Sequence, residues 1–214
     1  MLMKSTGLMK STGAMPVLAD RDQEHRAHGA LLRQLSPPRT GDLQIESSRP
    51  SPIGPPDFVL TLADIEFAEV AALLARYGLH LQAVADGEPI PGSYWGDTEA
   101  GLIGSCVHAR EDTPVHSLLH EAAHLIVLPP ERRARVHTDA TDSVEEEDAV
   151  CVLQALLGDA LPGVGRTRVL ADMDAWGYTF RLGSAQAYFE HDAQSSWHWL
   201  AARGLVDPAT RTLR

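Results

Sequence analysis

Residues 113–128, Thr-Pro-Val-His-Ser-Leu-Leu-His-Glu-Ala-Ala-His-Leu-Ile-Val-Leu, constrain this chain more than any other stretch. Leu118, Leu119, Ala122, Ala123, Leu125 and Ile126 recur at helical spacing and predict a largely buried helix. Thr113 is a candidate N-cap, Pro114 suits the first helical position, and Pro129-Pro130 stops the run. Inside it lie His120, Glu121 and His124. Residues four apart on a helix share a face, so two imidazoles can point at one metal ion with a carboxylate beside them. Unpartnered burial of such groups costs several kcal/mol, and a metal removes that cost. With ten histidines in 214 residues, random placement yields His-Glu-x-x-His roughly 0.03 times, so the helical context carries the reading as much as the pattern does. His116 stands one turn earlier on the same face. Three histidines stacked on one helix do not converge on a tetrahedral ion, so His116 reads as an outer or substrate-facing group, or as plain solvent-exposed surface.

The flanking segments predict an α+β fold, with a small antiparallel or mixed sheet packed on the motif helix and further helices. Thr61 can cap a helix that runs to Gly78, with Ile65, Ala68, Val70, Ala72, Leu73 and Leu74 at helical spacing. Residues 79–85 alternate and read as a strand, 86–97 as a Gly/Pro loop, and 101–110 as a second strand. Downstream, residues 142–158 read as a helix capped by Asp142 or Ser143 and closed by Gly158. Residues 166–175 predict a short helix and 184–203 a longer one, capped by Ser184 and stopped by Gly204.

A catalytic zinc has three protein ligands and an open position. Glu145, Glu146 and Glu147 fall 21, 22 and 23 residues after His124. Helical phase places Glu147 with Val150, Cys151 and Gln154, and Glu146 with Ala149, Val150, Leu153 and Leu157. This favours Glu147 as third ligand, with Glu146 the alternative. His137, Asp139 and Asp142 in the intervening loop are rivals. Part of the acidic run is also explained by the helix dipole.

Together the motif helix, the strand before it and the acidic helix after it resemble the zincin metallopeptidases, over about residues 58–160. The residues after His124, Leu-Ile-Val-Leu-Pro-Pro, lack the glycine and histidine of the metzincin pattern. The glutamate interval is similar to that of the gluzincins, although Cys151 stands where that group has an acid. The resemblance implies Zn²⁺ held by His120, His124 and Glu147, with Glu121 as general base in hydrolysis of a peptide or protein substrate. It further implies that strand 101–110 edges the cleft and pairs with an extended peptide. Tyr178, Tyr188 and His191 are candidates to stabilise the oxyanion, and Tyr94-Trp95 to line the entrance. The alternative is a non-catalytic zinc-binding structural or regulatory module, in which His137 or Asp139 fills a fourth position.

The net charge of −11 argues against a nucleic-acid surface. No apolar run reaches the ~18 residues of a membrane span. Cys106 and Cys151 make no disulfide framework and fit a reducing, cytoplasmic setting. Residues 1–57 repeat Met-Lys-Ser-Thr-Gly and are rich in Pro, Ser, Arg and Gly. They predict a disordered extension, with a short helix near 20–35, ahead of one folded domain over 58–214.

Overall fold

The computed structural model describes residues 58–214 apart from 95, 97 and 142. The expected N-terminal extension and its short helix lie outside the described residues. The remainder is α+β.

The chain enters through a 3-10 turn, Leu62–Asp64, and helix α1, Phe67–Ala75. Thr61 caps the turn rather than the helix: its amide and hydroxyl both donate to Asp64 Oδ2, at 2.8 and 2.9 Å. The break between 64 and 67 divides what the sequence reads as one helix. Val70, Leu73 and Leu74 then turn one face of α1 into the core.

Three strands form a mixed sheet. These are β1 (His80–Ala83), β2 (Gly101–Ile103) and β3 (Cys106–Ala109), in the order β1-β3-β2. β1 runs parallel to β3 with His80 opposite Cys106, and β2 runs antiparallel to β3 with Ile103 opposite Cys106. Residues 101–110 are thus a hairpin and not one strand. Gly104, at φ +60°, supplies the left-handed conformation that a two-residue turn needs.

Helix α2 (Val115–Val127) follows β3 and carries the motif. It begins one residue later than expected, with Pro114 at the N-cap. Thr113 does not cap it, because its hydroxyl accepts from Arg110 N at 3.0 Å and closes the preceding turn. Pro130 opens a single-turn helix α3, Pro130–Arg133. Arg133 folds back to donate to Leu128 O, Ile126 O and Tyr77 O, at 2.9, 3.2 and 2.8 Å. Two carbonyls at the end of α2, those of Ile126 and the C-cap Leu128, are satisfied in this way.

Helix α4 (Val144–Asp159) returns alongside α2 and also packs on later helices. Ser143 caps it, accepting from Glu146 N at 3.3 Å. Residues 149–158 are buried on every side, as suits a central helix. Gly158 is not its terminator. It marks a close crossing with α5 (Arg166–Trp176), where a Cβ would run into Val169 Cγ2.

The expected helix over 184–203 is divided into α6 (Ala185–Ala187), a π turn over Tyr188–Asp192, and α7 (Gln194–Ala202). The wide turn adds a residue, so Tyr188, Phe189, Ala193 and Trp197 all reach the core. A two-stranded ribbon, β4 (Val206–Asp207) with β5 (Thr212–Leu213), completes the chain. Among the described residues no helix is long and apolar enough to cross a membrane.

Candidate metal centre

The site is built where α2 and α4 pack side by side. His120 Nε2 and His124 Nε2 lie 3.1 Å apart. Glu147 reaches both: Oε1 is 3.0 Å from His120 Nε2 and Oε2 is 3.3 Å from His124 Nε2. The donor atoms of these three residues all lie within 4.8 Å of one another. Two imidazole nitrogens and a carboxylate directed at one point are the donor set of a borderline-soft divalent ion such as zinc.

His120 has a fixed tautomer. With Nδ1–H donating to Gln154 Oε1 at 2.6 Å, the ring keeps its proton on Nδ1 and offers the Nε2 lone pair to a metal once Nε2 gives up its own proton. Gln154 is fully buried on α4, two turns past Glu147. Its role was not read from the sequence, although its place on the Glu147 face was the available signal. Cys151 lies between them, free of any disulfide, and burial pushes its thiol pKa up.

Electrostatics follow from crowding. Burial works against the charged form of His120, but Tyr178 and Glu147 outweigh it and hold its pKa well above the usual imidazole value. Burial would raise Glu147, yet the two histidines overcome it and hold the carboxyl far below the usual range. These are the signs of groups that would exchange a shared proton for a cation. Glu121 is different. Half-buried, it has its pKa raised by burial, with the two histidines pulling the other way. Among the described residues none donates a hydrogen bond to its carboxylate, so its oxygens remain available.

Each remaining candidate has a definite place. Glu146 is buried beside the core, with Oε1 lacking a partner, and is not part of the donor cluster. His137 Nδ1 pairs with Thr138 Oγ1 at 3.1 Å, and Asp139 accepts from Thr141 N at 3.3 Å. Neither belongs to the cluster, while Asp142 lies outside the described residues.

Tyr178 is the oxyanion candidate brought to the site, its ring centroid 6.0 Å from that of His120. Burial raises the pKa of its hydroxyl. Tyr188 serves the core instead, donating to Asp148 O at 2.9 Å and lying 2.8 Å from Ser196 Oγ. His191 is exposed beside Glu190. His116 is not surface: at 1% exposure it packs against Trp176 and Tyr178, with ring centroids at 5.3 and 5.6 Å. Burial, with a smaller contribution from His120, lowers its pKa to about 3. Tyr94 is exposed, and Trp95 lies outside the described residues.

The strand expected to edge the cleft needs correction. β3, the later half of 101–110, is the central strand and has a neighbour on each side. Only β2 is an edge. Its start is tied to α2, because Ala100 N donates to Ser117 Oγ at 3.2 Å. Ser117 stands one turn before Glu121 on the same helix face. Glu99, just ahead of β2, also adds to the negative field at Glu121.

Comparison of the chain with known protein families, curated sequences and solved structures returns no match.

Proposed function

We propose that this chain is a gluzincin-like, zinc-dependent peptidase with its active centre between α2 and α4. The observation that carries the reading is the convergence of His120, His124 and Glu147 on one point, with Gln154 fixing the tautomer of His120. Zinc held by these residues would supply a Lewis acid that makes water a competent nucleophile near neutral pH. Glu121 accepts the proton of the attacking water and delivers it to the leaving amine. Its raised pKa matches that double role. Tyr178, whose ring lies 6.0 Å from that of His120, would donate to the oxyanion in this reading. The substrate is a peptide or protein segment, and a reducing, cytoplasmic setting suits the two free cysteines.

The test is zinc content and hydrolysis in wild type, His120→Ala, Glu147→Ala and Glu121→Gln. The reading requires about one zinc per chain in wild type and Glu121→Gln, loss of zinc in the other two, and hydrolysis in wild type alone. Zinc bound with no Glu121-dependent hydrolysis would favour a non-catalytic zinc module. Wild type without zinc after metal-replete growth would end both readings.

A further inference from the structure

The outer edge of β2 is already occupied by this chain's own backbone. Because Gly101 and Ile103 pair toward β3, residues 100, 102 and 104 turn their amides outward. All three are used. Ala100 N donates to Ser117 Oγ at 3.2 Å, Leu102 N to Gly92 O at 3.1 Å, and Gly104 N to Val136 O at 2.9 Å. The outward carbonyl of Leu102 accepts from Thr138 N at 3.0 Å. Ile103 faces His137 across an antiparallel bridge.

The two covering segments differ in how firmly they are held. At Gly92 the two backbones are in such close contact that a Cβ would overlap Leu102 O, and a Cβ on Gly101 would overlap Pro91 O. That contact belongs to the packed fold. Residues 136–138 are held to β2 differently, by two backbone hydrogen bonds and one buried side chain, Val136, their other backbone bonds being local ones to Arg133 and Asp139. His137 is exposed. Thr138 has φ +71°, a conformation that β-branched residues avoid. The segment is therefore strained at Thr138, exposed at His137 and joined to β2 by two bonds. It also joins the helix bearing His120 and His124 to the helix bearing Glu147.

Resting on the peptidase reading above, we propose that residues 136–138 are an internal latch, filling as a short antiparallel strand the edge of β2 that an extended substrate would use. An unfolded polypeptide gains main-chain pairing to Leu102 and Gly104 only after Val136 and Thr138 let go. The latent site is opened by releasing this segment, and the strain at Thr138 favours its release.

Two variants act in opposite directions. Thr138→Pro removes the amide that bonds Leu102 O and cannot hold a positive φ. In the other, Ile103→Cys with His137→Cys, made with Cys106→Ala to prevent mispairing, places thiols across a non-hydrogen-bonded pair, where cross-strand side chains are closest. This lock closes on oxidation and reopens with dithiothreitol. The zinc-loaded full chain is used throughout, and zinc content and circular dichroism report retention of the fold. Fluorescein-labelled casein is the probe, with anisotropy read in a Glu121→Gln background and cleavage read with Glu121 intact. Exchange of the Gly104 amide reports the latch directly.

The latch requires slow Gly104 exchange in wild type and exchange faster by about fivefold or more in Thr138→Pro, the weight of one backbone hydrogen bond. Casein binding should rise about fivefold in Thr138→Pro by the same measure, and fall in the oxidised lock until reductant is added. Casein binding that ignores both variants overturns the latch, whether or not cleavage occurs. So does a Gly104 amide that exchanges freely in wild type. Binding that follows the latch with no cleavage in any variant keeps the latch and removes the peptidase reading.

Discussion

Gln154→Leu isolates the contribution of one hydrogen bond to the metal site. In wild type Gln154 Oε1 accepts the Nδ1–H of His120 at 2.6 Å, and the residue is fully buried. Leucine fills nearly the same space and accepts nothing. Without metal the variant has an escape: the ring proton moves to Nε2, which faces Glu147 Oε1 at 3.0 Å, and Nδ1 is left bare. Ligating a metal through Nε2 forces the proton back onto Nδ1, where nothing receives it. An unmet buried donor costs about 1–3 kcal/mol, and that cost falls on the bound state alone. At about 1.4 kcal/mol per decade the loss in zinc affinity is between about 5-fold and 150-fold. The usual effect of removing the partner of a metal-bound histidine, about 10- to 100-fold, lies inside that range. Competition against a chromophoric zinc chelator measures it. Affinity within about twofold of wild type, in a variant of unchanged thermal stability, would refute the argument that Gln154 sets the tautomer.

Two further perturbations test the frame around the site. Gly92→Ala meets both a positive φ of +74° and the backbone of Leu102, whereas Gly87→Ala meets φ +75° and open space. The first should cost at least about 3 kcal/mol and the second about 1, so urea midpoints should separate them clearly. His116 has its pKa lowered to about 3 in the fold, against about 6.5 unfolded. A base with a depressed folded pKa contributes stability above the unfolded value and loses it as pH falls, because only the unfolded state takes up the proton. Between pH 7.5 and pH 5.5 the loss from this residue is about 1.3 kcal/mol. His116→Phe should flatten the pH dependence by that amount, and equal slopes in the two proteins would show that His116 titrates normally.

What the sequence made legible was whatever depends on spacing along one helix. His120, Glu121 and His124 are fixed by the helical repeat of α2, and Glu147 by its phase with Cys151 and Gln154 on α4. Choosing Glu147 over Glu146 needed only to know which face of α4 looks at α2. The failures lie where local pattern competes with tertiary contact. Thr113 and Thr61 are good capping residues, yet turn hydrogen bonds recruit one and a 3-10 turn the other. Gly158 reads as a stop signal along the chain and is in fact a contact point between helices. For His116 the sequence leaves surface open beside an outer or substrate-facing place, because its polar ring carries no burial signal; the rings packed on it, Trp176 and Tyr178, come from some 60 residues on. Self-covering of β2 is invisible in sequence for the same reason: Gly92 and Thr138 become its neighbours only through the fold.

The helices that hold the site do not need the metal to find each other. Leu119, Ala122, Ala123 and Ile126 of α2, and Ala149, Val150, Leu153 and Leu157 of α4, are all at or below 4% exposure, so their pairing is secured by apolar burial. His120, His124 and Glu147 sit on this frame with their mutual hydrogen bonding already satisfied. Chelation should therefore lower stability without unfolding the protein. Zinc in hundredfold excess over its dissociation constant would add about 2.7 kcal/mol. A chain of this length converts that into a shift of about 5–10 °C in Tm. Full helical circular dichroism at 25 °C after chelation, with a Tm lower by that amount, is the expected result. Loss of the helical signal on chelation would mean that the metal builds the α2–α4 pair, and that Glu147 reaches the histidines only because an ion draws it there.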